Sequence, residues 1–235
     1  MSQPSCIILG GPNGSGKSSA YAKLKLDGVW INADEIAKKL TGASDGRAAA
    51  MAAGRAAIRQ LAEMITTKTS FIYETTLSSQ QSINLMRDAK AAGFSVDLYY
   101  TALDSVEKNI ERVRQRVEAG GHDIPEDDIR RRCKGSLDKL TAALKLADEA
   151  LLIDNSGIEP QEVIRISAGV VTATDIDDKK ELHKLYIAKV CEALGLVKTY
   201  GSFRTQEPST QEVDDLTGRI LRGVPGHKPE PPDAK

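Results

Sequence analysis

The sequence has few cysteines, few aromatic residues and no long apolar run. Its three cysteines, Cys6, Cys133 and Cys191, are far apart and follow no metal-ligand spacing. We therefore expect neither disulfides nor a cysteine-based zinc site, and a reducing cytoplasm is the expected setting. No stretch approaches the roughly 20 apolar residues that span a bilayer, and the first apolar run leads into a glycine-rich loop. We expect no signal peptide and no membrane segment.

The charge of the chain is nearly balanced. It contains 32 lysines and arginines and 33 acidic residues, and its formal net charge is −1, so nothing attracts it overall to nucleic acid or to anionic membranes. Aromatic residues make up 4% of the chain, which leaves little surface for stacking bases. We therefore expect neither a nucleic-acid nor a membrane partner. The 235 residues suit one α/β domain with an appendage.

Residues 11–18 read G-P-N-G-S-G-K-S, which matches the phosphate-binding P-loop pattern. An apolar run before the loop predicts a buried strand, and the residues after it predict a helix. Glycines let backbone N–H groups turn toward phosphate oxygens, and the helix N-terminus adds partial positive charge. Lys17 can reach the β- and γ-phosphates, and the Ser18 hydroxyl can ligate Mg²⁺. The alternative is a glycine-rich surface turn. The predicted site for ATP and Mg²⁺ consists of Gly11, Pro12, Asn13, Gly14, Ser15, Gly16, Lys17, Ser18 and Ser19.

Strand and helix patterns alternate through the first two thirds of the chain. They predict an α/β fold, a three-layer P-loop kinase architecture with a mostly parallel sheet. The predicted strands are Cys6–Leu9, Val29–Asn32, Ser70–Tyr73, Val96–Ala102 and Leu151–Asp154. The predicted helices are Ser18–Lys25, Ala33–Leu40, Asp45–Thr66, Ser79–Ala92, Val106–Ala119, Pro125–Leu146 and Pro160–Ile164. Ligands bind at the carboxyl ends of such strands.

The pattern changes near residue 163. Val163–Ser167 and Val170–Thr174 flank an Ala-Gly pair and predict a hairpin, and Asp178–Leu194 predicts an amphipathic helix. We assign residues 1–165 to a kinase domain and residues 166–235 to a hairpin and helix extension. The polar, proline-containing end of this extension is expected to be flexible.

Two acids follow predicted strands. Asp34 comes after the second strand, where its carboxylate could accept a proton from an attacking hydroxyl or hold a Mg²⁺-bound water. Glu74 ends the third strand like a Walker-B acid that binds Mg²⁺. Alternatively, Glu74 lines an acceptor pocket together with Thr75 and Thr76. For both motifs, capping of the next helix is the competing interpretation.

Two groups of arginines flank the turn Gly120–Pro125. They are Arg112, Arg114 and Arg116 before the turn and Arg130, Arg131 and Arg132 after it. Such groups suit a lid that closes over a triphosphate and neutralises charge during transfer. We predict that Arg116 and Arg131 act in catalysis, whereas most of the others are solvated surface charges. His122, within the turn, either contacts phosphate or substrate or ties the turn together.

Taken together, these motifs resemble the zeta toxin family, and more narrowly its short bacterial members. The resemblance covers about Ser5–Gly157 and includes the ordered set Asn32-Ala33-Asp34, Glu74–Ser78, Gly120–Pro125, Ile129–Arg132 and Asp154–Gly157. Family members studied as toxins transfer the ATP γ-phosphate to the 3′-hydroxyl of the amino sugar in UDP-N-acetylglucosamine. The resemblance implies that Lys17 holds the phosphates, that Asp34 is the base, and that Glu74 and Thr76 contact the acceptor.

We therefore expect an ATP- and Mg²⁺-dependent phosphotransferase that acts on a hydroxyl of a small anionic acceptor, with UDP-N-acetylglucosamine as first choice. An antitoxin protein is a candidate partner, again by resemblance. Two alternatives remain open. One is a kinase for a nucleotide or another metabolite on the same scaffold. The other is a nucleotide-binding regulatory module without transferase activity.

Overall fold

The structure is a computed structural model, and it describes residues 3–21, 26–32, 36, 47–121, 123–199 and 202–205. Its strands are β1 (Ser5–Gly10), β2 (Val29–Asn32), β3 (Phe71–Thr75), β4 (Ser95–Ala102), β5 (Glu149–Asp154), β6 (Gln161–Ser167), β7 (Val170–Thr174), β8 (Leu196–Thr199) and β9 (Ser202–Thr205). Its helices are α1 (Lys17–Tyr21), α2 (Arg47–Thr67), α3 (Gln80–Ala91), α4 (Val106–Glu118), α5 (Glu126–Leu144) and α6 (Glu181–Leu194).

Seven strands form one sheet in the order β2-β3-β1-β4-β5-β6-β7. The first five strands in this order pair in parallel, and β6 and β7 then extend the sheet with antiparallel pairing. The prediction of a mostly parallel α/β sheet is thus confirmed. Because β1 lies between β3 and β4, the loop that follows β1 leaves the sheet from its interior. That position is where ligands bind in open α/β sheets.

Side chains from β1 serve both faces of the sheet. Cys6 and Ile8 belong to the main core, which also holds buried residues of α2, α3, α5 and α6. Ile7 and Leu9 point to the opposite face, where a smaller cluster includes Leu26. The period of two along a strand explains why this run is apolar throughout, since alternate residues enter different layers. Full burial of each such side chain stabilises the fold by about 1.5–3 kcal/mol.

The predicted helix at Pro160–Ile164 is wrong, because residues 161–167 form strand β6. Val163 and Ile164 are buried in the main core, and β6 pairs with β5 along its length. A helix of five residues gains little by itself, whereas pairing satisfies the backbone of the whole segment. The predicted hairpin is present, and its turn residues Ala168 and Gly169 both have positive φ, 48° and 75°, as a two-residue hairpin turn requires.

The sheet does not end at the expected domain boundary. Residue 165 lies inside β6, and α6 packs on the main core through Leu182, Tyr186, Ile187 and Val190. The helix predicted from Asp178 begins at Glu181, and Gly195, at φ 63°, ends it in the left-handed conformation. A two-stranded sheet of β8 and β9 follows. Among the described helices, none has the length and apolar character needed to cross a membrane.

Several predictions fall outside the described residues. They concern the end of the first helix beyond Tyr21, the helix Ala33–Leu40 apart from Ile36, which is helical, and the flexible tail beyond residue 205. The alanine-rich helix predicted at Asp45–Thr66 is described from Arg47 and runs to Thr67.

An unfavourable carboxylate lies in the middle of the sheet. Asp97 of β4 faces Glu149 of β5 directly across the parallel pair. Burial, then the charges of Glu149 and Asp148, raise the pKa of Asp97 to about 6. The folded state therefore holds the Asp97 proton more tightly than the unfolded chain does. Its stability falls as pH rises from about 4 to about 6.

We predict that Asp97→Asn stabilises the protein at pH 8. The gain in the free energy of unfolding should be about 1–2 kcal/mol, after allowance for solvent screening of a partly exposed group. Urea unfolding at several pH values measures it. The two proteins should converge below about pH 3, where Asp97 is protonated in both states; a difference that stays constant down to that pH would contradict the assignment.

Candidate active site

The loop between β1 and α1 is held in a conformation that needs glycine. Gly11, Gly14 and Gly16 have φ values of 140°, 75° and 85°, which side chains of L-residues rarely allow. There is also no room for a side chain. An added Cβ would lie 2.1 Å from the Thr101 carbonyl oxygen at Gly11, 2.4 Å from the Asn109 carbonyl oxygen at Gly14, and 2.3 Å from Asn155 Nδ2 at Gly16. The loop therefore packs directly against the ends of β4 and β5 and against α4.

Two buried asparagines hold the loop from behind. Asn109 Nδ2 donates to the Asn13 carbonyl oxygen at 2.7 Å, and Asn155 Nδ2 donates to the Ser15 carbonyl oxygen at 2.8 Å. Their exposed fractions are 1% and 8%, so both bonds are shielded from water. Sequence reasoning missed both residues as loop supports, although Asn155 belongs to the motif that follows β5.

The polar groups of the loop suit an anionic ligand. Lys17 Nζ donates to the carbonyl oxygens of Gly11 and Pro12 at 2.7 and 3.0 Å, which keeps its ammonium group inside the loop. The Ser15 hydroxyl is buried and has no hydrogen-bond partner among the described residues. A buried donor without an acceptor costs about 1–3 kcal/mol. A phosphate oxygen would supply that acceptor and would also meet the ammonium.

Glu74 lies beside the loop because of the strand register. It pairs with Leu9 of β1 on one side and with Asn32 of β2 on the other. Its carboxylate accepts from Ser18 Oγ at 3.1 and 3.2 Å and from Asn32 Nδ2 at 2.9 Å. The Ser18 hydroxyl and this carboxylate are hard oxygen donors, which Mg²⁺ prefers. Magnesium commonly takes one or two protein ligands plus waters and phosphates, so this pair fits it.

The threonines after Glu74 shape the turn that follows β3. Thr75 Oγ1 accepts from the Leu77 backbone N–H at 3.2 Å and bonds the Ser82 hydroxyl at 3.1 Å, and Thr76 Oγ1 bonds the Ser78 hydroxyl at 2.8 Å. Leu77 has a φ of 55° and is fully buried, so the turn is anchored in the core. Both threonines line the cleft beside the loop.

A cleft of about 1100 Å³ lies in front of these groups. Its walls combine the P-loop, Asn32, residues 73–76 at the end of β3 and residues 157–160 after β5. Three arginines also line it, namely Arg112, Arg116 and Arg132. Arg112 Nη2 donates to the Asn155 carbonyl oxygen at 2.9 Å, and Arg132 Nη1 lies 3.4 Å from Asn13 Oδ1. Arg132 therefore contacts the phosphate loop itself, and Arg112 contacts Asn155, which holds that loop.

The helices α4 and α5 position the arginines. The Ser105 hydroxyl caps α4 by accepting from Lys108 N, and acidic residues in the first turn of α5 favour its N-terminus. Ile110 and Val113 of α4 pack against Ile129 of α5. This contact holds the two helices together around the turn at residues 120–125.

Arg131, which the sequence predicts to act in catalysis, is not among the residues that line the cleft. Its side chain is 68% exposed and pairs with Asp128 at 2.7 Å, and Asp128 also lies 3.6 Å from Arg132. Arg132 lies three residues after the buried Ile129 and four before the buried Ser136, so it shares their inward face. That spacing was the signal that sequence reasoning missed. Arg116, the other predicted arginine, lines the cleft.

The proposed base Asp34 and the turn residue His122 lie outside the described residues, so their roles stay predictions. Of the remaining predicted site residues, Ser19 lines the cleft together with Lys17, Ser18 and Glu74. The described residues contain no group of three or more His, Cys, Asp or Glu side chains that could hold a metal ion.

Comparisons with known sequences agree with the motifs. The family model described as zeta toxin matches residues 1–159. A protein of Haemophilus influenzae, described only as an uncharacterized protein, is 38% identical over 132 residues. That match covers 55% of this chain and 93% of the relative.

Solved structures of similar fold include the AvrRxo1-ORF1:-ORF2 complex with ATP. Its match has a TM-score of 0.61 and 17% identity, and covers 96% of this chain and 78% of that chain. A second is from the PezAT chromosomal toxin-antitoxin system of Streptococcus pneumoniae. It has a TM-score of 0.53 and 14% identity, and the match covers 83% of this chain and 88% of that chain. At these identities the likeness is one of fold.

We predict that Gly14→Ala weakens ATP binding at least about 10-fold, because the new methyl group displaces the loop from the Asn109 backbone. Isothermal calorimetry with Mg²⁺ and ATP measures the affinity. Gly93→Ala is the matched control. Gly93 also has positive φ, 84°, but nothing lies within 4 Å of an added Cβ. The control should lose about 1 kcal/mol of stability and keep its affinity; equal affinities for both variants would refute the prediction.

Proposed function

The chain belongs to the zeta toxin family, and on that premise we propose that this P-loop kinase transfers the γ-phosphate of ATP to a hydroxyl of a small anionic acceptor. UDP-N-acetylglucosamine is the first candidate acceptor, as the family resemblance implies. The main support for the proposal is the arrangement of the cleft. The P-loop, the Ser18–Glu74 pair and three arginines all face a single cleft.

The nucleotide would be held by groups that already lie together. Lys17 and the buried Ser15 hydroxyl would engage phosphate oxygens, and Ser18 with Glu74 would hold Mg²⁺. Bound ATP supplies the phosphoryl group and a good leaving group. The chain itself contributes orientation and charge neutralisation, which dominate phosphoryl transfer. Arg112 and Arg132 are proposed to neutralise charge, because both line the cleft and contact the loop or its support.

The acceptor would occupy the part of the cleft beside Glu74 and Thr76. The cleft volume of about 1100 Å³ exceeds the usual size of a pocket for one small ligand, which leaves room for nucleotide and acceptor together. Arginines suit an acceptor that itself carries phosphate. Asp34 is proposed as the base. Asn32, only two residues before it, bonds Glu74 at the cleft wall, and two residues span at most about 7 Å.

A protein partner of antitoxin type is also proposed. Support comes from the two structural relatives, one described as part of a toxin-antitoxin system and the other solved as an ORF1:ORF2 complex.

The test of the proposed function is an acceptor screen with labelled ATP and Mg²⁺. UDP-N-acetylglucosamine should be phosphorylated. Asp34→Asn should lower kcat about 1000-fold and leave the Kd for ATP nearly unchanged, because a general base acts on the acceptor hydroxyl. Lys17→Ala serves as the inactive control.

Three outcomes would change the assignment. Labelling of a nucleoside monophosphate but of no UDP-sugar would favour the alternative metabolite kinase. Tight ATP binding without transfer to any acceptor would favour a regulatory module. Normal turnover by Asp34→Asn would remove Asp34 as the base.

Arg132 and Arg131 of α5 provide a further matched pair of variants. We predict that Arg132→Ala lowers kcat/KM about 100-fold, because it removes a cation from the cleft wall. Arg131→Ala changes an exposed pair with Asp128 and should stay within about 3-fold of wild type. Steady-state kinetics of both variants with the same acceptor measure the difference. A larger loss for Arg131→Ala than for Arg132→Ala would reverse the assignment.

A further inference from the structure

A hydrogen-bonded cluster of Asp154, His183 and Lys180 lies next to the candidate active site, at the end of β5. Asp154 is 1% exposed and His183 of α6 is 0% exposed. His183 Nε2 lies 3.1 Å from Asp154 Oδ2, and Lys180 Nζ lies 2.9 Å from the same oxygen. Lys180 and His183 come after residue 159, where the match to the family model ends. The cluster is therefore contributed in part by a segment that the family pattern does not include.

The hydrogen bonds of His183 determine its tautomer. The Asp177 backbone N–H donates to His183 Nδ1 at 3.0 Å, so Nδ1 carries no proton. Nε2 then carries the ring proton and donates it to Asp154 Oδ2. Burial by itself would raise the pKa of Asp154, but hydrogen bonds from Ser156 and Lys180 outweigh it and lower the pKa to about 2. Asp154 is thus a carboxylate with directed donors on both oxygens.

The carboxylate fixes the turn that contains Asn155. Asp154 Oδ1 accepts from the Ser156 backbone N–H at 2.9 Å, while Oδ2 is held by α6. The Asn155 backbone N–H donates to the Ala102 carbonyl oxygen at 3.0 Å. Asn155 is therefore tied to β4 by its own backbone and to α6 by its neighbour.

Asn155 in turn contacts the phosphate loop and a cleft arginine. Its side-chain amide donates to the Ser15 carbonyl oxygen at 2.8 Å, and its own carbonyl oxygen accepts from Arg112 Nη2 at 2.9 Å. Its Nδ2 also occupies the space beside Gly16 that a Cβ would fill. A small displacement of this turn would move the loop and the arginine together.

We infer that His183 and Lys180 are positioning residues for the nucleotide site, acting through Asp154 on Asn155 and thereby on the phosphate loop and Arg112. The inference rests on the proposed function, because it assigns a role to the extension in that same site. Neither residue lines the cleft, so neither is expected to touch substrate.

A purely structural role for the cluster would be to anchor α6 on β5. The protein offers a control for that role, since the Tyr186 hydroxyl donates to the Ile153 carbonyl oxygen at 2.8 Å and is fully buried. Tyr186→Phe removes a buried hydrogen bond between the same two elements without changing a contact of Asp154 or Asn155. Substitutions in the cluster and Tyr186→Phe should therefore both lower stability, but only substitutions in the cluster should loosen the phosphate loop.

The experiment compares full-length His183→Leu, His183→Gln, Lys180→Met and Tyr186→Phe with wild type. The readouts are thermal unfolding, calorimetric Kd for ATP with Mg²⁺, and amide hydrogen exchange of residues 11–17 in the nucleotide-free protein. His183→Leu should raise the Kd about 10-fold and speed loop exchange about 10-fold. Lys180→Met should act in the same direction. His183→Gln offers an N–H donor for Asp154 and a carbonyl acceptor for the Asp177 N–H, and should restore both values to within about 3-fold.

Equal thermal destabilisation of His183→Leu and Tyr186→Phe, with wild-type loop exchange and ATP affinity in both, would overturn the inference. If His183→Leu does not fold, Lys180→Met decides, because the Lys180 side chain is 40% exposed and the change removes its hydrogen bonds to Asp154 and Gln161 without emptying a buried position. The exchange measurement needs no nucleotide and no acceptor. A wild-type protein that transfers phosphate to nothing therefore refutes the proposed function while the exchange data still decide this inference.

Discussion

The candidate site depends on the close packing of the phosphate loop against the sheet. At Gly11, Gly14 and Gly16 an added Cβ would lie within 2.4 Å of an atom in β4, in α4 or just beyond β5. This contact sets the path of the loop backbone and the direction of its polar groups. Asn109 and Asn155 also hold the loop, through buried hydrogen bonds to its carbonyl oxygens. A site formed in this way is preorganised, which phosphoryl transfer needs more than it needs reactive side chains.

Residues far apart in the chain reach this loop by two different routes. Strand register brings Glu74 beside Ser18, because β3 pairs with both β1 and β2 and all three end at the same edge. Helix packing brings in the arginines, because the apolar contact between α4 and α5 turns Arg112 and Arg132 toward the cleft. The first route supplies oxygen donors for a metal ion, and the second supplies positive charge around phosphate. Their combination at one loop is the physical basis for a kinase.

Strands β6 and β7 and helix α6 share the main sheet and the main core. Strands β6 and β7 lengthen the main sheet, and α6 places Tyr186 and Val190 in the main core. The same helix carries His183 to the carboxylate of Asp154, 29 residues earlier in the chain. An ion pair at an exposed position contributes little, whereas the hydrogen bond between His183 and Asp154 joins side chains that are 0% and 1% exposed. Its position next to Asn155 links the stability of the extension to the geometry of the site.

The local features of this protein follow from short stretches of its amino-acid sequence. The loop motif, the apolar runs of β1, β4 and β5, the main helices and the Ala-Gly hairpin were predictable, because each depends on neighbouring residues and on helix or strand periodicity. Tertiary structure decided the rest. Residues 161–164 became a strand through pairing with β5, and Arg132 rather than Arg131 entered the cleft through the packing of Ile129. Asn109 and His183 acquired their roles from partners 96 and 29 residues away, contacts that no local pattern encodes.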